Sequence, residues 1–145
     1  MVYLIYGSPC SGKSTYIKEH MTGNDIVCDV DLLYAAIGNH DAHDADLYVH
    51  DVALQLKEKL LDIIRDREGG WQNAYVVSLA NTDEKLKADM ERVNADEAVF
   101  IDTPYDVCME RAKDRPPYFQ FLILEWFERW SICNTRDGKE TVLER

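Results

Sequence analysis

The sequence predicts an α/β fold in which a mostly parallel sheet of four or five strands is covered by helices on both faces. Short runs of β-branched and aromatic residues alternate with segments whose apolar residues recur every three or four positions. Glycine or proline closes most of these segments. Because no repeat or linker divides the 145 residues, we expect one three-layer domain over residues 1–145.

The individual elements follow from the same patterns. Apolar runs ended by polar or glycine positions predict strands at 2–6, 25–30, 74–78 and 97–102. Helical spacing, with caps and proline boundaries, predicts helices at 13–21, 31–37, 47–67, 82–93, 104–115 and 118–130. The polar segments 39–46 and 134–145 are expected to form a loop and a weakly specified tail.

The excess of acidic over basic residues limits the kinds of molecule that the protein is expected to bind. The chain has 27 acidic and 16 basic residues and a net charge of −11, which disfavours passive binding to nucleic-acid backbones or anionic membranes. Nucleic acid is therefore expected only as a substrate end. The four cysteines lack zinc-site spacing, and the N-terminus lacks the basic region of a signal peptide. We expect reduced thiols and a cytoplasmic protein without a membrane partner.

Polar residues follow each predicted strand. Right-handed crossovers bring the carboxyl ends of parallel strands to one edge of the sheet, where ligands bind in a crevice. The segments expected at that edge are Gly7–Ser14, Asp29–Asp31, Ser78–Asn81 and Asp102–Thr103.

The first of these segments, GSPCSGKS, has the spacing G-x-x-x-x-G-K-[ST] of a P-loop. It follows a predicted strand and opens a predicted helix, which is the context this motif requires. Loop amides and the helix N-terminus then bind phosphate oxygens, Lys13 reaches the β- and γ-phosphates, and the Ser14 hydroxyl binds Mg²⁺. The cofactors expected are ATP and Mg²⁺, and the nucleotide-binding residues are Gly7, Ser8, Pro9, Cys10, Ser11, Gly12, Lys13, Ser14 and Thr15.

Two aspartates, Asp29 and Asp31, follow the second predicted strand. A carboxylate at this place can accept a proton from an attacking hydroxyl or help to orient Mg²⁺. We expect Asp31 to be catalytic and Asp29 to contribute, with Ser14, to a metal site. One of the two is also expected to cap the following helix, because aspartate is a favoured N-cap.

Arg111 and Arg115 are four residues apart and precede Pro116. The proline disfavours helical backbone at Arg115, so we expect the segment to open into a loop there. Arginines over a P-loop form a lid that stabilises charge on a transferred phosphoryl group. The alternative is a solvated helix end, where cations favour the helix dipole.

With these motifs, residues 1–130 resemble the adenylate-kinase-like group of P-loop kinases. The chain looks most similar to the kinase part of phage polynucleotide 5′-kinase and to small phage P-loop proteins described as AAA-type ATPases. The resemblance depends on GSPCSGKST, DVDLLYAAI and FIDTPYDVCMERAKDR. It implies a three-layer P-loop NTPase fold, with Asp31 as general base, Lys13 and Ser14 as phosphate and magnesium residues, and Arg111 and Arg115 as lid arginines.

Two positions depart from the resemblance. Many P-loop proteins have an aspartate at the end of the third strand, where this chain has Ser78 and, a little later, Asn81. Tyr34 occupies the place where the polynucleotide kinase has an arginine available to an acceptor phosphate. Both departures concern the acceptor more than ATP.

The function expected from these residues is transfer of the γ-phosphate of ATP to a hydroxyl or phosphate of a nucleotide-like or polynucleotide acceptor. Lys13, Asp31, Arg111 and Arg115 are the expected catalytic residues. The alternative is an ATP-binding or ATP-hydrolysing accessory protein that acts on a protein partner, which the acidic charge and the missing strand-end aspartate favour slightly.

Overall fold

The computed structural model describes residues 1–38, 46–133 and 140–143. The five strands are β1 (Val2–Tyr6), β2 (Ile26–Cys28), β3 (Ala74–Ser78), β4 (Glu97–Asp102) and β5 (Glu140–Leu143). The six α-helices are α1 (Lys13–His20), α2 (Val30–Ala36), α3 (Leu47–Arg65), α4 (Asp83–Val93), α5 (Tyr105–Arg111) and α6 (Tyr118–Cys133). Most of the predicted loop at 39–46 and most of the predicted tail lie outside the described residues.

The strands form one parallel sheet in the order β2-β3-β1-β4-β5. The central strand, β1, pairs with β3 and β4, so that Tyr6 lies opposite Ser78 on one side and Phe100 on the other. β1 and β3 therefore end level at one edge of the sheet, and β4 continues two residues further, to Asp102. The predicted α/β class with a parallel sheet is confirmed.

β1 shows why helices are needed on both faces. Its side chains alternate between the faces, as strand geometry requires. Leu4 and Tyr6 pack into a core with residues of α3, α4 and α6, whereas Ile5 packs into a second core with Tyr16 and Ile17 of α1. Because both faces of β1 are apolar and buried, the strand is held rigidly, and the loop that follows it starts from a fixed point.

Local chemistry sets the helix boundaries. The Thr82 hydroxyl accepts a hydrogen bond from the Lys85 amide and caps α4, as its position in the sequence predicts. α3 ends at Arg65, two residues earlier than predicted. Arg67 has a left-handed backbone (φ 55°), and its guanidinium donates to the carbonyl oxygens of Val93 and Asn94. α3 therefore ends just before Arg67, whose side chain is hydrogen bonded to the end of α4.

β5 is an addition to the predicted elements. It pairs in parallel with β4, with Val99 opposite Glu140 and Asp102 opposite Leu143. Its sequence, ETVL, is short and half polar, so it lacks the apolar run by which the other strands were recognised. None of the helices that the structure describes combines the length and the apolar character needed to cross a membrane.

Candidate active site

The loop between β1 and α1 closes tightly against β4. A Cβ on Gly7 would lie 2.9 Å from the Ile101 carbonyl oxygen and 2.9 Å from the Ser11 hydroxyl oxygen, so no larger residue fits without displacement. Gly12 has φ 102° and stands directly before α1. Cys10 has φ 62°, in the left-handed region that non-glycine residues rarely adopt. The backbone of the predicted P-loop is thus held in a specific, locally strained shape.

Lys13, the first residue of α1, turns back into this loop. Its ammonium donates to the carbonyl oxygens of Gly7 at 3.0 Å and Ser8 at 2.6 Å, with Ser11 Oγ at 3.4 Å. Burial lowers the pKa of Lys13 from 10.5 to about 8, since the charged form loses its hydration. The Lys13 ammonium thus lies inside the loop, in the region where the motif predicts that phosphate oxygens bind.

Ser14 and the two predicted aspartates lie next to the loop. The Ser14 hydroxyl donates to Asp29 Oδ2 at 3.4 Å, and Asp29 Oδ1 accepts from the Asp31 amide at 3.0 Å. Asp29 is buried and is the N-cap of α2, so of the two aspartates it is the one that caps the helix. Asp31 is exposed at the crevice, where its carboxylate can meet a second molecule.

A crevice of about 980 Å³ joins the P-loop to this carboxylate. It is walled by the P-loop, by the starts of α1 and α2, by the end of β3, and by parts of α3, α4 and α6. Its charged lining residues are Lys13, Lys57, Arg92, Arg111, Arg115, Asp29, Asp31 and Asp89. In a molecule of net charge −11, five cations against three carboxylates make this crevice a local region of positive charge.

The predicted lid arginines both line the crevice, but not as neighbours on one helix. α5 ends at Arg111, a short 3-10 turn follows over 112–114, and Arg115 has extended backbone. Arg111 Nη1 donates to the Cys10 carbonyl oxygen at 3.1 Å, and the Arg115 guanidinium lies 5.2 Å from the centre of the Phe119 ring. Arg111 is therefore attached to the P-loop, whereas Arg115 lies over an aromatic surface.

The segment after β4 also supports the loop. The Thr103 hydroxyl, which is buried, donates to the Ser11 carbonyl oxygen at 2.6 Å. Asp102 and Thr103 were expected in the crevice, yet neither is part of its lining. Thr103 acts on the site through the P-loop backbone.

The end of β3 differs from the expectation in a similar way. Ser78 lines the crevice, and its hydroxyl donates to Asp89 Oδ2 at 2.6 Å. Asn81 was expected beside it but is buried against α6, where its side-chain amide donates to the Trp126 carbonyl oxygen. A carboxylate thus reaches the end of β3 from α4. Sequence reasoning missed Asp89 because nothing within α4 alone shows which of its acidic residues faces the sheet.

α3 supplies two polar lining residues, His50 and Lys57, of which sequence reasoning missed Lys57. His50 and Lys57 are seven residues apart and so share one face of the helix. The His50 ring stacks on Tyr34 of α2, with ring centres 5.8 Å apart, and its Nδ1 is hydrogen bonded to the Tyr34 hydroxyl. The seven-residue spacing of His50 and Lys57 could have indicated a shared helix face. It does not identify that face as the one lining the crevice, because a helix has several pairs with this spacing.

The AAA_33 family, an AAA domain, matches residues 2–121, and the chain belongs to that family. No curated protein matches the chain by sequence.

Solved structures share the fold at low sequence identity. A chain of the Pnkp1/Rnl/Hen1 RNA repair complex superposes with a TM-score of 0.67 at 12% identity, over 96% of this chain and 46% of that one. The present chain thus spans less than half the length of that relative. Shikimate kinase from Aquifex aeolicus gives 0.57 at 21% identity, covering 99% and 85% of the two chains. TT1252 from Thermus thermophilus gives 0.60 at 14% identity, covering 100% and 88%. The chain has a P-loop kinase-like fold.

Proposed function

We propose that this protein is a phosphotransferase that moves the γ-phosphate of ATP to a hydroxyl or phosphate of a nucleotide-like acceptor, and that residues 1–145 act as one domain. The observation that most strongly supports the activity is the single crevice that joins the P-loop to the Asp31 carboxylate. An exposed carboxylate in the same crevice as the P-loop gives an acceptor hydroxyl a group that can take its proton.

The P-loop is the proposed ATP site, from Gly7 to Thr15. The Lys13 ammonium, held inside the loop, provides the positive charge that a phosphate group needs. ATP would draw Lys13 from these carbonyls toward the β- and γ-phosphates. Arg111, which is hydrogen bonded to the Cys10 carbonyl oxygen of the same loop, would add positive charge.

The residues present also suit Mg²⁺. The Ser14 hydroxyl and the Asp29 carboxylate, with their oxygens 3.4 Å apart, supply the oxygen donors that this ion prefers. When bound, Mg²⁺ would neutralise phosphate charge. Asp29 also caps α2, so the same carboxylate fixes the position of the neighbouring Asp31.

For a hydroxyl acceptor, each bond and proton in the transfer step can be accounted for with the groups in the crevice. The acceptor oxygen forms a bond to the γ-phosphorus, and the bond from that phosphorus to the β–γ bridging oxygen breaks, so that ADP leaves. Asp31 accepts the hydroxyl proton. Lys13, Arg111 and Arg115 stabilise the charge on the phosphoryl group during transfer.

The test is transfer of label from γ-labelled ATP with Mg²⁺ to a panel of acceptors. The panel contains 5′-hydroxyl DNA and RNA oligonucleotides, nucleosides, nucleoside monophosphates and water alone, with Lys13→Ala as the blank. We expect label on one acceptor class and none with the blank. Label found only as free phosphate would contradict the proposal and favour an accessory ATPase that acts on a protein partner.

A further inference from the structure

Two of the five cations that line the crevice, Arg92 and Lys57, have no place in the proposed ATP site. Lys13 and Arg111 are bonded to the P-loop, and Arg115 lies on the adjoining loop. Arg92 is ion-paired with Glu58 at 2.9 Å and with Asp62 at 2.8 Å. Among the residues that the structure describes, Lys57 has no hydrogen bond or ion pair, although it is half-buried and lines the crevice.

Lys57 and Asp31 line the same crevice from neighbouring helices. α3 packs against α2, whose first turn contains Asp31, through the stacked rings of Tyr34 and His50. Lys57 lies two helical turns from His50, roughly 10 Å along α3. α3 also packs against β2, which ends at Cys28 directly before Asp29. The helix that contains Lys57 thus contacts both elements that flank Asp29.

We propose that Lys57 binds an anionic group, phosphate or carboxylate, on the acceptor. The acceptor would then be a compound with both a hydroxyl that reaches Asp31 and a negative charge that reaches Lys57. This inference rests on the proposed function, since it names the class of its second substrate. A half-buried ammonium with no protein partner binds an anion more strongly than an ion-paired one, because no existing bond has to be broken.

The stacked rings of Tyr34 and His50 form part of the crevice wall. Tyr34 is buried and its hydroxyl is occupied by His50, so the position contributes a wall and no charge. Leu61, one helical turn beyond Lys57, and Leu79, after β3, provide apolar surface on either side. An acceptor of mixed character, with a flat or apolar body and one anionic end, fits such a lining.

The experiment compares pairs of acceptors in which one member has an anionic group that the other lacks. The pairs are adenosine 3′-monophosphate with adenosine, for a phosphate, and glycerate with glycerol, for a carboxylate. The proteins are wild type, Lys57→Ala, Lys57→Arg and, as the matched control, Lys59→Ala, which removes an exposed lysine of the same helix that does not line the crevice.

For at least one pair, we expect wild type to have a kcat/KM at least about tenfold higher for the charged member, as one charge-assisted contact provides. Lys57→Ala should lose that preference with the KM for ATP changed less than about twofold. Lys57→Arg should retain much of it, and Lys59→Ala should behave as wild type. Equal use of charged and neutral acceptors by wild type, or an unchanged preference in Lys57→Ala, would overturn the inference while leaving the phosphotransferase in place.

A binding measurement separates this inference from the proposed function. The NMR signals of the Lys57 ε-methylene, assigned with Lys57→Arg, are followed during titration with adenosine 3′-monophosphate or glycerate. The titration is performed in the presence of Mg²⁺ and a non-hydrolysable ATP analogue. Saturable shifts support an anion site even if no transfer is seen, which would contradict only the proposed function. Signals that do not move with either anion would refute the site.

Discussion

Lys13 is the residue at which the sequence motif and the geometry agree most closely. The motif predicts a lysine directed at phosphates, and in the structure its ammonium is enclosed by the carbonyls of its own loop. Burial without an anion lowers the pKa of Lys13 to about 8. The loop is therefore prepared for a negatively charged ligand, because that ligand would restore the stability of the charged form.

This pKa has a consequence for ATP binding. Between about pH 8 and pH 10 the free protein holds Lys13 partly deprotonated, whereas bound phosphates favour the protonated form. We expect ATP binding at pH 8 to take up about half a proton and at pH 9 close to one, as the shift from a pKa of about 8 requires. Calorimetry in buffers of different ionisation enthalpy measures this uptake.

The control is Lys13→Arg, whose guanidinium remains charged over the whole range, so its binding should take up no proton from this position. Uptake that stays near zero in wild type from pH 8 to pH 9 would show that Lys13 is already fully protonated in the free protein.

At the level of elements, the strands and helices were predictable wherever burial imposes a period on the sequence. β1, β3 and β4 were located to the residue, because each is an apolar run with a sharp polar or glycine end. β5 was not, since its sequence, ETVL, is short and half polar. α3 was predicted too long because Arg67 acts through contacts distant in sequence.

The residues of the candidate site were also predictable only in part. The P-loop and the residues that follow β2 were predictable, because their chemistry depends on neighbours in the chain. Asp89 and Lys57 were not, since their place in the crevice depends on how α4 and α3 are rotated against the sheet. Thr103 was expected in the crevice, but its hydroxyl instead donates a hydrogen bond to the Ser11 carbonyl oxygen of the P-loop.

The attachment of the P-loop to the segment after β4 can be tested through Thr103. Thr103→Val keeps the shape but leaves the Ser11 carbonyl oxygen without its hydroxyl donor in a buried place. We expect the free energy of unfolding to fall by about 1–3 kcal/mol and ATP affinity to weaken. Urea denaturation measures the first and equilibrium ATP titration the second.

Thr103→Ser, which keeps the hydroxyl, is the matched variant and should recover ATP affinity. If Thr103→Val bound ATP as tightly as wild type, the hydroxyl would have no part in shaping the loop.

Over the whole molecule, charge is distributed unevenly. The net charge is −11, yet the crevice is lined by more cations than carboxylates. Negative charge over the rest of the surface opposes the binding of long polyanions, whereas the crevice attracts small anions or the end of a larger one. This distribution agrees with the proposal of a substrate that enters the crevice by one end. In that proposal, Asp31 is the group that distinguishes phosphoryl transfer from simple binding of ATP.

The most direct test of the account is therefore the comparison of ATP affinity and single-turnover transfer rate in Asp31→Asn, with Asp51→Asn, an exposed carboxylate of α3, as the control. We predict that Asp31→Asn binds ATP within about twofold of wild type but transfers the γ-phosphate about 100-fold more slowly or worse, as loss of a general base requires. Asp51→Asn should match wild type in both. A transfer rate unchanged in Asp31→Asn would contradict the assignment of Asp31 as the base and, with it, the proposed path of the phosphoryl group through the crevice.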